Sequence, residues 1–203
     1  MSRAVLASAN PGKLRELAAL LAPSGFELLS QTALGIDSVA ETGATFLENA
    51  LIKARHAAAA AQLPALADDS GIEVDALGGR PGVLSARFAG EGASDAANLA
   101  HLLRELAGVP EARRTARYQC VVVWVRSADD PAPLTGSGTW EGRIALSSRG
   151  SGGFGYDPAF IPEGERRTAA ELSSEDKNRV SHRAQALRAL VAALESAGVY
   201  SRP

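Results

Sequence analysis

The chain opens on Arg3–Ala7, an apolar run of strand length, and turns at once into a helix signal. Asn10 is a good N-cap, Pro11 suits the first helical position, and Leu14, Leu17, Leu20 and Leu21 recur at helical spacing. Phe26–Leu29 predicts a second strand. Thr45-Phe46-Leu47-Glu48 has the Thr-x-x-Glu form of a capping box, so the alanine-rich stretch to Gln62 predicts a helix that Pro64 stops. Ala65–Ala67 then reads as a strand ending on Asp68-Asp69-Ser70-Gly71. Asp95–Ala107 places Leu99, Leu102, Leu103 and Leu106 on one helical face, and Tyr118–Val125 is a β-branched run suited to a central strand. Leu134–Trp140 and Arg143–Leu146 predict two strands paired across a turn at Glu141-Gly142. A glycine-rich loop covers Ser147–Asp157, and Ser181–Ala197 predicts a last helix. Strands and helices alternate with neither repeat nor linker, which predicts an α/β fold.

Composition narrows the class. Of 203 residues, 46% are hydrophobic and 22% charged, which excludes a disordered or fibrous chain and favours one domain over residues 1–203. Aromatics make up only 5%, so the core must rest on Ala, Leu and Val. A net charge of −2 lacks the basic surplus of a nucleic-acid-binding protein. Cys120 is the sole cysteine, so a disulfide scaffold is excluded and a reducing compartment fits. No apolar run approaches the ~20 residues of a membrane span, and the expectation is a cytoplasmic protein without membrane contact.

Four segments carry candidate chemistry. Ser8-Ala9-Asn10-Pro11-Gly12-Lys13 is a strand-to-helix turn whose free N–H groups and lysine suit a phosphate, although it lacks the P-loop spacing. Taken alone it reads rather as a capped helix with a surface lysine. Asp68-Asp69-Ser70-Gly71 brings together two carboxylates that are costly to hold side by side unless a cation neutralises them. Mg²⁺ takes such hard oxygens along with substrate phosphates, and one aspartate can accept a proton from an attacking water. Glu41 is a candidate further ligand and Lys53 a candidate phosphate contact, each with a solvated-surface alternative. Gly153-Phe154-Gly155-Tyr156-Asp157 offers Phe154 as a stacking face for a base. Lys177, His182 and Arg183 supply donors beside the start of the last helix.

These segments, together with Phe46-Leu47-Glu48-Asn49-Ala50, Pro81-Gly82 and Ser85-Ala86-Arg87, resemble in order and spacing the non-canonical purine nucleoside triphosphate pyrophosphatases, the inosine triphosphatase or Ham1-like house-cleaning enzymes. The likeness spans nearly the whole chain. It departs at Ser8-Ala9, where the family usually has Thr-Gly, so Ala9 requires a backbone that tolerates a Cβ. The resemblance implies a two-lobed mixed-sheet α/β fold around a long central substrate groove, usually a homodimer. It implies Mg²⁺-dependent attack at the α-phosphorus of ITP, dITP or XTP, giving the monophosphate and pyrophosphate.

Carried onto matching positions, Asp69 is the general base and a metal ligand, with Glu41 the second ligand. Ser8, Ala9, Asn10, Pro11, Gly12, Lys13, Lys53 and Ser70 hold the triphosphate, and Phe154 stacks the base within Phe154-Gly155-Tyr156-Asp157. Asp157, Lys177, His182 and Arg183 read its edge, where donors favour the keto O6 over the amino group of adenine by roughly 1–3 kcal/mol per contact. The alternatives are a pyrophosphatase for other modified nucleotides and a nucleotide- or RNA-binding module without turnover.

Overall fold

The computed structural model describes residues 3–21 and 27–199. Phe26 and the side chain of Leu20, both part of the expected pattern, lie outside the described residues. Six strands, β1 (Arg3–Leu6), β2 (Glu27–Ser30), β3 (Ala65–Val74), β4 (Thr115–Val125), β5 (Leu134–Ile144) and β6 (Phe160–Pro162), form one sheet in the order β2-β1-β3-β4-β5-β6. β1 pairs in parallel with β2 and β3, whereas β5 and β6 are antiparallel, so the sheet is mixed. The helices are α1 (Pro11–Leu21), α2 (Phe46–Ala61), α3 (Asp95–Glu105), α4 (Ser174–Val180) and α5 (His182–Ser196). This is the α/β architecture with a mixed sheet that the sequence predicts. No described helix is long and apolar enough to cross a membrane.

The chain divides into two compact units. The first takes residues 1–69, 120–138 and 183–203; the second takes 70–119 and 139–182. In the first unit, strand alternation sorts side chains onto two faces. Leu6, Leu66, Val122 and Trp124 cluster with Leu17 and Leu21 of α1 and Leu187, Leu190 and Leu194 of α5. Val5, Ala7, Ala65, Ala67, Val123 and Val125 cluster instead with Ala50, Ala54, Ala57 and Ala58 of α2. The second unit has its own core, in which Ile72, Val74, Leu102, Leu106, Tyr118, Trp140, Ile144, Tyr156 and Phe160 pack together.

Local signals explain the helix starts. Asn10 Oδ1 accepts from the backbone N–H of Gly12 at 2.8 Å and of Lys13 at 3.1 Å, the capping arrangement its position predicts. At α2 the capping box closes in both directions between Thr45 and Glu48.

Two expected boundaries differ. β3 does not end at Asp68 but runs on to Val74, because Ile72 and Val74 continue the buried alternation; the two aspartates therefore sit inside a strand. The turn expected at Glu141-Gly142 is replaced by an unbroken β5 in which Gly142 pairs with Pro162. A Cβ there would meet the Ile161 carbonyl oxygen at 2.3 Å and the Phe160 ring at 2.7 Å, so this glycine serves a close approach of backbones. The last helix, expected over Ser181–Ala197, is α5 (His182–Ser196), and the short α4 that precedes it was not expected. Ser173 caps α4 by accepting from the Asp176 N–H at 3.0 Å, and the extended backbone of Ser181 separates α4 from α5.

Candidate active site

Asp68 and Asp69 are consecutive in a strand, so they point to opposite faces. Asp68 lies on the face of Leu66 and meets α1 and α5. Its Oδ2 is 3.1 Å from Lys13 Nζ and 3.5 Å from Arg183 Nε. Arg183 also donates through Nη1 to Glu16 Oε2, on α1. Asp69 lies on the face of Ala65 and Ala67 and meets α2. Its Oδ1 accepts from Lys53 Nζ at 3.1 Å and its Oδ2 from Asn49 Nδ2 at 3.2 Å. Lys53 Nζ also donates to Glu41 Oε1 at 2.6 Å. The two carboxylates expected to crowd one cation thus have separate basic partners.

Their acidities diverge accordingly. Burial works to raise Asp68, yet the charges of Lys13, Arg183 and Lys53 outweigh it and hold this carboxyl well below the usual range. Burial raises Asp69 and prevails over Lys53 and Lys13, with the Glu41 charge acting in the same upward sense. Lys53 itself is lowered by burial and raised by Asp69, Asp68 and Glu41; the carboxylates win and the ammonium is retained. Such a divergence sorts a permanent anion from a proton acceptor.

Glu41 and Asp69 present hard oxygens with a cation, the Lys53 ammonium, already bridging them. Among the described residues no group of three or more His, Cys, Asp and Glu is arranged to hold a metal. A carboxylate pair fits Mg²⁺, which commonly takes one or two protein carboxylates and completes its shell from water and substrate phosphates.

Asn49, buried in the alanine face of α2, carries a role the sequence reading did not assign. Besides donating to Asp69 it accepts at Oδ1 from the Gly43 N–H at 2.8 Å, tying the loop that bears Glu41 to the strand that bears Asp69. A Cβ on Gly43 would meet Glu48 Cβ at 2.6 Å, so only glycine allows this approach. An asparagine four residues before Lys53, and so on the same helical face, is the sequence signal for it. Glu16 gave no comparable signal.

At the phosphate turn, Ser8 Oγ accepts from the Asn10 N–H at 3.2 Å. Among the described non-glycine residues only Gln62 has positive φ, so Ala9 adopts a backbone open to any L-residue in place of the family's usual glycine.

In the second unit, Asp157 organises the glycine-rich loop. Its Oδ2 accepts from the Phe154 N–H at 2.9 Å and from Lys177 Nζ at 2.7 Å, and its Oδ1 accepts from the Tyr118 hydroxyl at 3.2 Å. Gly153 makes room: a Cβ there would lie 2.0 Å from Asp157 Oδ2. The Lys177 ammonium stands 4.9 Å from the centroid of the half-buried Phe154 ring. His182 stacks on Tyr118, with centroids 4.5 Å apart and planes 6° from parallel. Gly155 N–H donates to Asp95 at 2.9 Å. Tyr156 turns into the core and donates to the Ser85 carbonyl at 2.7 Å. Ser70 follows Asp69 directly on β3. Phe154, Asp157, Lys177 and His182 are thus brought together, whereas the side-chain hydrogen bonds of Arg183 run to Glu16 and Asp68 in the first unit.

The fold is mixed-sheet α/β, with a lysine-bridged carboxylate cluster in the first unit and a glycine-rich loop bearing an aromatic ring in the second. Residues 4–193 match the Ham1 family model, and the chain belongs to that family. A protein of Methylococcus capsulatus named dITP/XTP pyrophosphatase is 59% identical over 95% of this chain and 96% of its own length. One of the same name from Escherichia coli is 53% identical, covering 97% of this chain and all of its own. Among solved structures, a HAM1 protein from Coxiella burnetii superposes with a TM-score of 0.88 at 46% identity, covering 97% of this chain and all of that one.

Proposed function

We propose that the chain hydrolyses non-canonical purine nucleoside triphosphates, dITP, XTP and ITP, to the monophosphate and pyrophosphate, acting as a single catalytic domain of two lobes. The observation that carries this reading is the shared name of relatives that match it end to end. The residue chemistry supports it independently. In the first unit Asp69 is the general base: its raised proton affinity and buried setting suit it to take a proton from water. The water oxygen forms a bond to the α-phosphorus while the bond from that phosphorus to the bridging oxygen breaks, releasing pyrophosphate. Lys13, Lys53, Ser70 and the N–H groups around Ser8, Ala9, Asn10, Pro11 and Gly12 bind and orient the phosphates.

Glu41 and Asp69 would hold Mg²⁺, which when bound supplies charge neutralisation at the phosphates. In the second unit Phe154 stacks the base, with Gly155 and Tyr156 completing that turn. Asp157, Lys177, His182 and Arg183 read its edge, Glu16 and Asp68 holding the Arg183 guanidinium. A homodimer in the cytoplasm completes the reading.

The test is pyrophosphate release from dITP, XTP, dATP and dGTP, with Mg²⁺ and with excess chelator. The reading expects turnover of dITP and XTP at least ~30-fold above dATP in kcat/KM, the product of two edge contacts of about 1 kcal/mol each, and its loss on chelation. Comparable turnover of all four would overturn it.

A further inference from the structure

A buried tyrosine hydroxyl needs a partner, and the one on Tyr118 finds a carboxylate. Tyr118 belongs to β4 and to the apolar core of the second unit, 4.7 Å from Phe160 and 6.4 Å from Trp140 between ring centroids. Phenylalanine would fill that space as well, so packing does not account for the hydroxyl. What the hydroxyl does is grip Asp157 Oδ1, while Lys177 and the Phe154 N–H grip Oδ2. Held at both oxygens, the Asp157 carboxylate cannot rotate, and through it the Lys177 ammonium and the Phe154 backbone keep their places.

The ring of Tyr118 does a second task. It lies parallel to the His182 imidazole, and Trp140 flanks the pair, 6.4 Å from the Tyr118 ring and 6.3 Å from the imidazole with its plane 21° from the latter. Imidazole donors and acceptors lie in the ring plane, so fixing the plane fixes the direction in which His182 can hydrogen-bond.

We propose that Tyr118 is a positioning residue for purine recognition, setting Asp157 with its hydroxyl and His182 with its ring face. The inference rests on the reading above, in which these two residues meet the base. It is tested with Tyr118→Phe, which keeps the ring and removes only the hydroxyl, by steady-state pyrophosphate release from dITP and dATP, product inhibition by pyrophosphate, and a urea unfolding curve. The variant is expected to unfold at a slightly lower urea midpoint, as the loss of one buried hydrogen bond requires, and to raise KM for dITP about fivefold, the size of that bond. Its kcat should stay within about twofold, and its inhibition by pyrophosphate, which needs no base contact, should be unchanged. An unchanged KM overturns the inference. So does a KM rise matched by an equal weakening of pyrophosphate inhibition, since that reports a general loosening of the fold. Wild-type protein that turns over dITP no faster than dATP overturns the underlying reading and this inference with it, whereas a selective wild type with an indifferent variant overturns this inference alone.

Discussion

Side-chain alternation at two adjacent residues decides the chemistry of β3. Both aspartates are buried, but Asp68 faces two cations that fix its charge, and Asp69 faces one lysine shared with Glu41. Asp69→Asn keeps the shape and one of the two oxygens that accept from α2, and removes the proton acceptor. It should lower kcat by at least about 100-fold with the urea midpoint within error of wild type; a variant with normal kcat would relocate the base. The lysine makes a separate prediction. The Lys53 ammonium, 2.6 Å from Glu41 Oε1 and 3.1 Å from Asp69 Oδ1, competes with any second cation for the same oxygens. Lys53→Met should therefore bind Mn²⁺ at least about tenfold more tightly in nucleotide-free protein, measured by titration calorimetry, while losing kcat; equal or weaker Mn²⁺ binding would refute the competition. Residue types at this site were legible because carboxylates, lysine and glycine recur in short runs. Asn49 showed only in its spacing from Lys53 and Glu16 not at all, since the tertiary contacts that give them partners leave no other footprint in the local sequence.

Elements announced by their own chemistry were read correctly, and those fixed by partners elsewhere were not. Asn10 and the Thr45–Glu48 box act within four residues of themselves, so α1 and α2 began where expected. Gly142 looked like a turn residue because its true constraint, the backbone of β6, is eighteen or more residues away in sequence. α4 was not expected for a different reason: Ser174–Val180 is polar up to its last residue and carries no apolar stripe. Gly136 on β5 extends the lesson to an untested position. A Cβ there would stand 2.2 Å from the Ala186 carbonyl oxygen and 2.5 Å from the Leu190 nitrogen, both in the backbone of α5. Backbone cannot swing aside as a side chain does, so Gly136→Ala must push helix and strand apart. The expected cost is about 1–3 kcal/mol, read as a lower urea midpoint; a midpoint equal to wild type would show that α5 is not seated on this strand.

Across the whole molecule, scarce aromatics are unevenly spent. Phe88, Phe154, Phe160, Trp140, Tyr118 and Tyr156 all belong to the second unit, while the clusters of the first rest on alanine, leucine and valine with Trp124. The low aromatic content was visible in composition, but its concentration beside Asp157 and His182 depends on which strand halves fall in which unit, and that is a property of the fold. The apolar first unit has a consequence for Cys120, 1% exposed in its leucine cluster. Burial, reinforced by the Asp68 charge, pushes this thiol from its ordinary value near 9 up to about 12. The folded state then favours the protonated thiol. Below pH 9 both states hold that proton and the stabilisation is complete; between about pH 9 and 12 the unfolded chain releases it first, so stability falls as pH rises, by up to ~1.4 kcal/mol per pH unit. The urea midpoint difference between wild type and Cys120→Ala should accordingly be constant from pH 7 to 8 and shift against wild type at pH 10. At pH 8 the native thiol should react with a disulfide reagent only at the rate of global unfolding, rising steeply with urea; rapid labelling of native protein would show that Cys120 reaches solvent without the first unit opening.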